Sequence, residues 1–438
     1  MRISTVQAFN NGVAGLQRNY ANATRTQEQI STGNRILTPA DDPVASVRLL
    51  QLEQQQNVLS QYNSNLTAAK NSLTQEEVTL NSVNTVLQRV RELAVQAGNG
   101  ALSAEDRKSI AAELTEREDE LLSLMNTRNA RGEYLFSGFQ GKTQPFVRDG
   151  SGSYSYQGDE GQRKLQIASS LNIPISDNGK SIFQNITNAG RLTTAPVFNA
   201  NAPVTSTLAV SAPLVSDEVA FSGADPFPAE GVELEFQADG KYVIYRLPRA
   251  DDPADDTVLK SDLSMGADPK KSDKLVFRGV TVHLDGIPAD GDRVAIVPGR
   301  ISGIDADGNI TRDPDINPMQ NKQGILDTIA NLRSALENPN TNGNGVRDAV
   351  AVALTNLDHG MISVDAARGN IGARLNVIET TQTDNEDVTL VNKAVQAELR
   401  ELDYAEALSR LSFQTIILEA AQQSYVKISG LNLFNAMR

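Results

Sequence analysis

Apolar residues near both ends of the chain recur at alternating steps of three and four positions. The N-terminal stripe comprises Val6, Phe9, Val13, Leu16, Tyr20, Ala23, Gln27 and Ile30. The C-terminal stripe comprises Leu408, Leu411, Thr415, Leu418, Gln422 and Tyr425. This alternation averages about 3.5 residues per turn, so each helix keeps one seam toward a partner helix. The pattern therefore predicts a chain that folds back on itself, with its ends side by side or against other subunits.

Further helical patterns predict the arms of a bundle between these ends. The same alternation runs through Leu52–Ala97, and Ser103–Asp106 has a capping-box pattern before the apolar stripe of Ile110–Leu124. Toward the C-terminus, Lys322–Glu337 and Leu354–Ile378 carry similar stripes on either side of a turn rich in Asn, Pro and Gly. Four such helices can bury their seams together as an antiparallel bundle.

Proline and acidic residues gather in the middle of the chain. Of the 17 prolines, 12 fall within Ser181–Gln320, a window with 21 acidic and 12 basic residues. Val232–Phe236 and Lys241–Leu247 flank an Asp-Gly turn and predict a β-hairpin. Further short strand patterns occupy residues 275–277, 280–284 and 294–297. Tyr134–Phe136 and Tyr154–Tyr156 suggest a smaller hairpin between the bundle and this insert.

Together these patterns predict a mainly α protein with a β insert. We expect an elongated antiparallel helical bundle or coiled coil formed by both chain ends, plus a central β-rich domain. The predicted domains are terminal helices at residues 1–40 and 395–438, a bundle core at 41–180 and 320–394, and an acidic outer insert at 181–319. Because long single helices gain most of their stability from packing, we expect the terminal helices to be disordered in the monomer.

Five polar residues occupy predicted seam positions: Gln27, Glu76, Arg368, Thr415 and Gln422. A polar residue in a seam weakens it but can specify its register and partner number. Alternatively, a broader bundle leaves these positions at its rim. The pattern alone does not decide between the two interpretations.

Composition narrows the classes of function. The net charge of −14 without a clustered basic face argues against a nucleic-acid partner. The absence of cysteine excludes disulfides, thiol catalysis and cysteine metal sites. It suits export in an unfolded state, although a cytoplasmic protein can also lack cysteine. No apolar run approaches the roughly 20 residues of a membrane span, and the sequence begins without the apolar run of a cleaved signal.

No arrangement of catalytic or metal-ligating residues stands out. His283 and His359 have no second ligand nearby in the sequence. Asp305–Asn309 resembles part of a calcium loop but lacks the required later glycine and glutamate, so an acidic turn is the simpler interpretation. The acidic run at residues 250–256 has the composition of a solvated loop, and a carboxylate pair for glycoside hydrolysis leaves no sequence signature. We predict no catalytic residue, no metal and no cofactor.

Several ordered motifs resemble the flagellin superfamily. Ser31–Ile36 and Ala40–Pro43 resemble the signature that follows the first helix of flagellins, and Leu87–Gln96 resembles a core-helix segment. Met1–Thr5 and Gly132–Gly138 are similar to the hook–filament junction proteins of that superfamily. The same holds for residues 403–412, 418–424 and 430–434. The signature positions are Arg35, Asp41, Asp42, Pro43, Tyr134, Phe136 and Gly138.

The resemblance implies a structural, non-enzymatic protein of the extracellular flagellum. It implies an assembly seam formed by Val6, Phe9, Val13, Leu16, Tyr20, Leu408, Leu411, Leu418 and Tyr425. A ring of copies would join hook-associated protein 1 to the flagellin filament. Each copy would pass unfolded through the flagellar type III export apparatus, guarded by a cytosolic chaperone on its C-terminal helix.

Three alternatives remain. A flagellin shares most of the motifs, but the Tyr-Leu-Phe-Ser-Gly run and the modest insert favour the junction proteins. A secreted helical adhesin should carry an anchor or a cleaved signal. A hydrolase should show activity in the isolated β insert.

Overall fold

A computed structural model of the 438-residue chain describes residues 2–150, 152–250, 255–266, 271–299, 301–304, 310–312, 321–341 and 343–436. Side chains are described in these ranges except at residues 2–6, 8, 301–304, 310–312 and 428–436. The candidate calcium loop at Asp305–Asn309 lies outside the described residues, as do residues 251–254 of the acidic run.

Seven helices are assigned within this described part of the chain. Their bounds are α1 Arg2–Thr32, α2 Pro43–Ala97, α3 Ala104–Met125, α4 Glu218–Ser222, α5 Ile325–Glu337, α6 Gly343–Arg400 and α7 Tyr404–Ala436. A π-helical turn covers Lys180–Gln184. The predicted helical stripes fall within these helices, and the capping box between Ser103 and Asp106 is present at the start of α3.

The strands are short and concentrated between α3 and α5. They are β1 Phe146–Arg148, β2 Tyr154–Tyr156, β3 Lys164–Gln166, β4 Asn172–Pro174, β5 Ile186–Thr187, β6 Leu192–Val197, β7 Ala209–Val210, β8 Leu214–Val215, β9 Val232–Phe236, β10 Lys241–Arg246, β11 Val258–Ser264, β12 Asp273–Phe277, β13 Val280–Asp285, β14 Arg293–Pro298, β15 Ile301–Ile304, β16 Ile310–Arg312 and β17 Lys322–Gln323. The predicted fold class, mainly α with a β insert, is confirmed.

The chain divides into two compact units. One comprises Met1–Ala68, Gln166–Leu171 and Val377–Arg438, and the other comprises Ala69–Leu165 and Asn172–Asn376. The first unit contains α1 and α7, which we call the terminal pair. The second contains α3, α5, the C-terminal half of α2 and the N-terminal half of α6, which we call the bundle core.

The bundle core buries most of its apolar stripe residues. Side chains without solvent exposure come from each of its four helices: Leu80, Val83, Leu87, Val90, Leu114, Leu121, Ile329, Val364 and Ile371. At its surface, Arg89 on α2 pairs with Glu113 on α3 at 2.8 Å, and Arg91 pairs with Asp358 on α6 at 2.7 Å. Exposed pairs of this kind contribute little free energy, so apolar burial holds this unit together.

The insert contains two antiparallel sheets that share one apolar core. The larger sheet has the order β11-β10-β9-β14-β6, and the smaller has β12-β13-β7 with β8 also on β13. Leu234 and Ile244 from the larger sheet and Val282 and Leu284 from the smaller belong to one buried cluster. The predicted hairpin of β9 and β10 is confirmed, and Gly240 adopts the left-handed conformation that its turn requires, with φ of 69°.

The smaller predicted hairpin is wrong in one strand. Tyr154–Tyr156 forms β2, but its partner is β1, in the register Phe146↔Tyr156, and not Tyr134–Phe136. Gly132 and Gly138 have φ values of 78° and 69°, so the chain turns on both sides of that segment. The Leu135 N–H accordingly donates to the carbonyl of Thr127 rather than to a strand partner, at 3.0 Å.

Candidate assembly site

The helices of the terminal pair run antiparallel. Near the outer ends, the rings of Phe9 and Tyr425 lie 5.3 Å apart. Near the inner ends, Thr26 Oγ1 donates to Gln414 Oε1 at 2.8 Å. As the residue numbers rise along α1, their partners fall along α7, which brings the two chain ends together as the stripes predicted.

The predicted seam residues face their partner helix to different degrees. Five of them are half-buried: Val13, Leu16, Leu411, Leu418 and Tyr425. Three remain largely exposed, with 50% for Phe9, 64% for Tyr20 and 52% for Leu408. The side chain of Val6 lies outside the described residues. The terminal pair therefore buries only part of the predicted seam within one chain.

A second apolar surface on α7 lies outside the predicted seam. Phe413 is 66% exposed, Ile416 is 63% exposed, and Ile417 and Val426 are exposed as well. Sequence reasoning missed this surface because it followed a single stripe. Its signal was the spacing of Phe413, Ile416 and Ile417, which places three large apolar side chains on one helix face.

The five polar residues at predicted seam positions differ in burial. Gln27, Thr415 and Gln422 are exposed, Arg368 is half-buried beside Asp365, and Glu76 alone is buried. In α1, the polar residues that face α7 are Thr26 and Gln29, and not Gln27. Both are buried and have a hydrogen-bond partner on α7. Thr26 donates to Gln414, and Gln29 accepts from Arg410 at 3.2 Å.

Asp41, Asp42 and Pro43 build the start of the long helix α2. Asp42 Oδ1 accepts the Ala45 N–H at 2.9 Å, and Pro43 occupies the first helical position, where its missing N–H costs nothing. Asp41 Oδ2 accepts the Leu37 and Thr38 N–H groups at 2.9 and 3.1 Å, and the Asp41 carboxylate pairs with Arg25. These residues fix how the chain passes from α1 to α2.

Arg35 lies in this break and contacts the break between α6 and α7. Asn34 and Glu401 form an isolated antiparallel bridge. The Arg35 N–H donates to the Arg400 carbonyl at 2.8 Å, and the Leu402 N–H donates to the Gly33 carbonyl at 3.0 Å. The two helix breaks are therefore joined through backbone hydrogen bonds.

Tyr134, Phe136 and Gly138 lie in the loop region of the second unit. Phe136 has no exposure and meets Phe183 edge to face at 5.1 Å, while the Arg128 guanidinium lies 4.4 Å from the Tyr134 ring centre. A methyl group on Gly138 would lie 2.3 Å from Asp159 Oδ1. In this chain these three residues pack the loops and are not part of the terminal pair.

A buried carboxylate on α2 is the strongest electrostatic feature of the second unit. Glu76 Oε1 accepts a hydrogen bond from the Asp177 N–H at 3.2 Å. The Asp177 carboxylate accepts hydrogen bonds from Arg374 Nη1 and Nη2 at 3.0 and 2.9 Å. Burial, with a smaller contribution from the nearby Asp177 charge, raises the pKa of Glu76 to about 8. Glu76 is therefore mostly protonated at neutral pH.

The two histidines considered as candidate metal ligands or catalytic residues make only ordinary polar contacts. His359 Nδ1 lies 3.0 Å from the Thr187 carbonyl, and His283 Nδ1 lies 3.4 Å from Ser272 Oγ. Within the described ranges, no three His, Cys, Asp or Glu residues gather as metal ligands would. Among the same residues, no helix combines the length and apolar character needed to cross a membrane.

Comparisons with known proteins agree with the motifs and the fold. The family model of the bacterial flagellin N-terminal helical region matches residues 3–141. Flagellar hook-associated protein 3 of Salmonella typhimurium is 36% identical over 187 residues, which span 43% of this chain and 58% of that protein.

Solved structures extend the similarity over most of the chain. The crystal structure of flagellar hook-associated protein 3 from Legionella pneumophila has 26% identity and a TM-score of 0.60, and the match covers 80% of this chain and 98% of that one. A second crystal structure, of the flagellar junction protein from the same organism, has 26% identity and a TM-score of 0.57, covering 81% and 100%.

The matched proteins are flagellar components and not enzymes, which confirms the prediction of a structural, non-enzymatic protein. Together, the family model, the sequence relatives and the shared fold also confirm the predicted resemblance. The chain therefore resembles the flagellin superfamily over residues 3–141, and in sequence and fold it resembles flagellar hook-associated protein 3.

Proposed function

We propose that this chain is a structural subunit of the bacterial flagellum that joins hook-associated protein 1, at the hook end, to the flagellin filament. The observation that carries this proposal is the terminal pair, whose exposed apolar side chains are available to neighbouring subunits. Phe9 and Tyr20 on α1 and Phe413 and Ile416 on α7 are each at least half exposed. One relative is named as a flagellar junction protein, which supports the same role.

Covering the exposed side chains would favour assembly. Fully burying one large apolar side chain contributes roughly 1.5–3 kcal/mol. These side chains are already partly covered, so four or five of them per subunit would offset part of the entropy lost when subunits associate. We propose a ring of copies in which residues 1–40 and 395–438 form the inner assembly region and the insert at 181–319 faces outward.

Assembly of this kind requires delivery to the outside of the cell. We propose that the chain passes unfolded through the flagellar type III apparatus and that a cytosolic chaperone covers the apolar surface of α7 beforehand. The absence of cysteine fits a chain that must stay free of cross-links during export. The terminal helices would then be largely disordered in the isolated chain and become ordered on assembly.

A flagellin is the second candidate, favoured by the family model that matches residues 3–141. The two candidates differ in what a strain without this chain releases. Loss of a junction protein leaves hooks without filaments and sheds flagellin into the medium, whereas loss of the filament subunit sheds none. Electron microscopy of the cells and immunoblots of the medium separate them. Intact, attached filaments in that strain would contradict both.

Complementation of that strain tests the apolar surface directly. Phe413→Asp places a charge on the exposed face of α7 and should abolish filament attachment, because an unpaired charge is costly to bury in an interface. Ser412→Asp adds the same charge at the preceding exposed position and is the matched control. Full complementation by Phe413→Asp would remove the surface from the proposal.

A further inference from the structure

The seam of the terminal pair does not by itself fix how α1 and α7 align. Both stripes repeat after seven residues: Leu411, Leu418 and Tyr425 are all apolar on α7, and so are Phe9, Leu16 and Ala23 on α1. A slide of seven residues moves one helix by about 10.5 Å, at a rise of about 1.5 Å per residue, and again matches apolar with apolar. Contacts without this repeat must select the observed alignment, and the hydrogen bond between Thr26 and Gln414 is one of them.

The contacts between the two helix breaks have no such repeat. Asn34 bridges Glu401, flanked by the hydrogen bonds from Arg35 to Arg400 and from Leu402 to Gly33, at 2.8 and 3.0 Å. Backbone groups are free to pair in this way only where a helix is interrupted. The chain has one such break between α1 and α2 and one between α6 and α7, so this bridge forms in a single register.

Side chains extend the bridge into the helices. Gln29 Nε2 donates to the Arg35 carbonyl at 2.6 Å, and Gln29 Oε1 accepts from Arg410 at 3.2 Å. Arg35 Nη2 also donates to the Leu399 carbonyl, at 3.0 Å. Gly33, with φ of 70°, lets Tyr404 approach so closely that a methyl group there would lie 2.9 Å from its hydroxyl. A side chain at position 33 would therefore disturb the same contacts.

We infer that Gly33–Arg35 and Arg400–Leu402 form a register clasp, and that Arg35 and Gly33 are positioning residues for the terminal pair. The clasp selects one alignment of α7 on α1 from those that the repeating seam permits. It thereby sets the position of the exposed side chains of α7, including Phe413 and Ile416, along the length of α1. That last consequence rests on the proposed function, whereas the register itself does not.

The lack of native cysteines makes the register measurable in the isolated full-length chain. Thr26→Cys with Gln414→Cys reports the observed alignment, since these side chains are in contact. Thr26→Cys with Ala421→Cys reports an alignment shifted by seven residues. Disulfide formation under a mild oxidant traps each alignment even if pairing is transient. We expect the first disulfide to form at least tenfold faster than the second in the native background.

Variants at Arg35 separate register from stability. Arg35→Pro removes the N–H that donates to Arg400 and should lower the ratio of the two rates at least threefold. Arg35→Ala keeps that N–H, loses the contact to Leu399 and should give an intermediate ratio. Arg18→Ala, at an exposed position of α1, is the control and should leave the ratio unchanged.

Three results would overturn the inference. The first is a native chain that forms both disulfides at equal rates or forms neither. The second is an Arg35→Pro chain with the native ratio. The third is an Arg35→Pro chain that loses both disulfides together, which would mean that the clasp stabilises pairing without selecting its register. None of these results bears on filament attachment, which tests the proposed function separately.

Discussion

The terminal pair and the bundle core carry the same apolar spacing but differ sharply in burial. Leu80 and Leu87 in the bundle core have no exposure, whereas Phe9 and Leu408 in the terminal pair are 50% and 52% exposed. The spacing shows that a helix has a face to bury. The number of helices present to cover that face decides how much is buried, and in the terminal pair one partner covers part of it. On this difference rests our proposal that the bundle core stabilises the fold and the terminal pair serves assembly.

The largest expected effect is a difference in unfolding free energy between two leucine-to-alanine variants, one in the bundle core and one in the terminal pair. Leu87→Ala should cost roughly 2–5 kcal/mol of unfolding free energy, because the site has no exposure and leaves a cavity. Leu408→Ala should cost less than about 0.5 kcal/mol in the isolated chain, because half of its side chain already contacts water. Urea denaturation followed by circular dichroism measures both. Similar losses of unfolding free energy for the two variants would contradict the proposed difference between the bundle core and the terminal pair.

A second prediction concerns the loop region that packs against the bundle core. Gly138→Ala should destabilise the chain by more than about 2 kcal/mol, because it combines positive φ with a clash against Asp159. Gly132→Ala has positive φ but open space around it, so it should cost about 1 kcal/mol. Equal costs would mean that backbone conformation alone makes Gly138 necessary.

A third prediction uses the buried carboxyl of the second unit. Because the pKa of Glu76 rises from 4.5 to about 8 on folding, its neutral form stabilises the fold fully below about pH 4.5. That stability is lost as the pH rises toward 8. Glu76→Gln keeps the acceptor for the Asp177 N–H and carries no charge. It should gain on the order of 4 kcal/mol at pH 8 and almost nothing at pH 4.5.

Denaturation at the two pH values checks this expectation, with Glu77→Gln as the neighbouring control at a half-buried position. The control should change stability by less than about 0.5 kcal/mol at either pH. A gain from Glu76→Gln that is the same at both pH values would show that desolvation of the charge is not its cause.

A smaller effect is expected from removing the insert. We predict that replacing Arg191–Ile310 with a short Gly/Ser bridge leaves a folded helical core. The replaced segment contacts α6, since the Ala212 N–H donates to Asp348 at 2.8 Å and Asp285 pairs with Arg347 at 3.2 Å. Its removal should therefore lower the melting temperature by a few degrees. Loss of the cooperative transition would show that the insert is part of the folding unit.

Sequence periodicity was sufficient for the long helices and one hairpin of this fold, but it missed strands such as β6 and β11 and one strand pairing. The helices and the β9–β10 hairpin follow from local spacing and the turn at Asp239 and Gly240. The partner of Tyr154–Tyr156 was wrong because several short strands of similar composition compete for it. Gly132 and Gly138 held the missing signal, since both turn the chain around the segment that was expected to pair.

The candidate site was predicted in part for the same reason. The stripes identified Leu411 and Leu418 as residues that face α1, and both are half-buried. They could not show that Phe413 and Ile416 stay uncovered, because exposure depends on the number of neighbouring helices. The contacts of Arg35 with Arg400 join residues far apart in sequence and have no period, so spacing could not reveal them.

Hydrogen exchange of the isolated chain and of the proposed ring assembly, compared residue by residue, tests the central claim most directly. Amides of the bundle core, around Leu80–Val90, should be protected about equally in both states. Amides of α1 and α7 should exchange rapidly in the isolated chain and at least a hundredfold more slowly in the ring. Equal protection of the terminal pair and the bundle core in the isolated chain would contradict the claim that assembly completes the terminal pair.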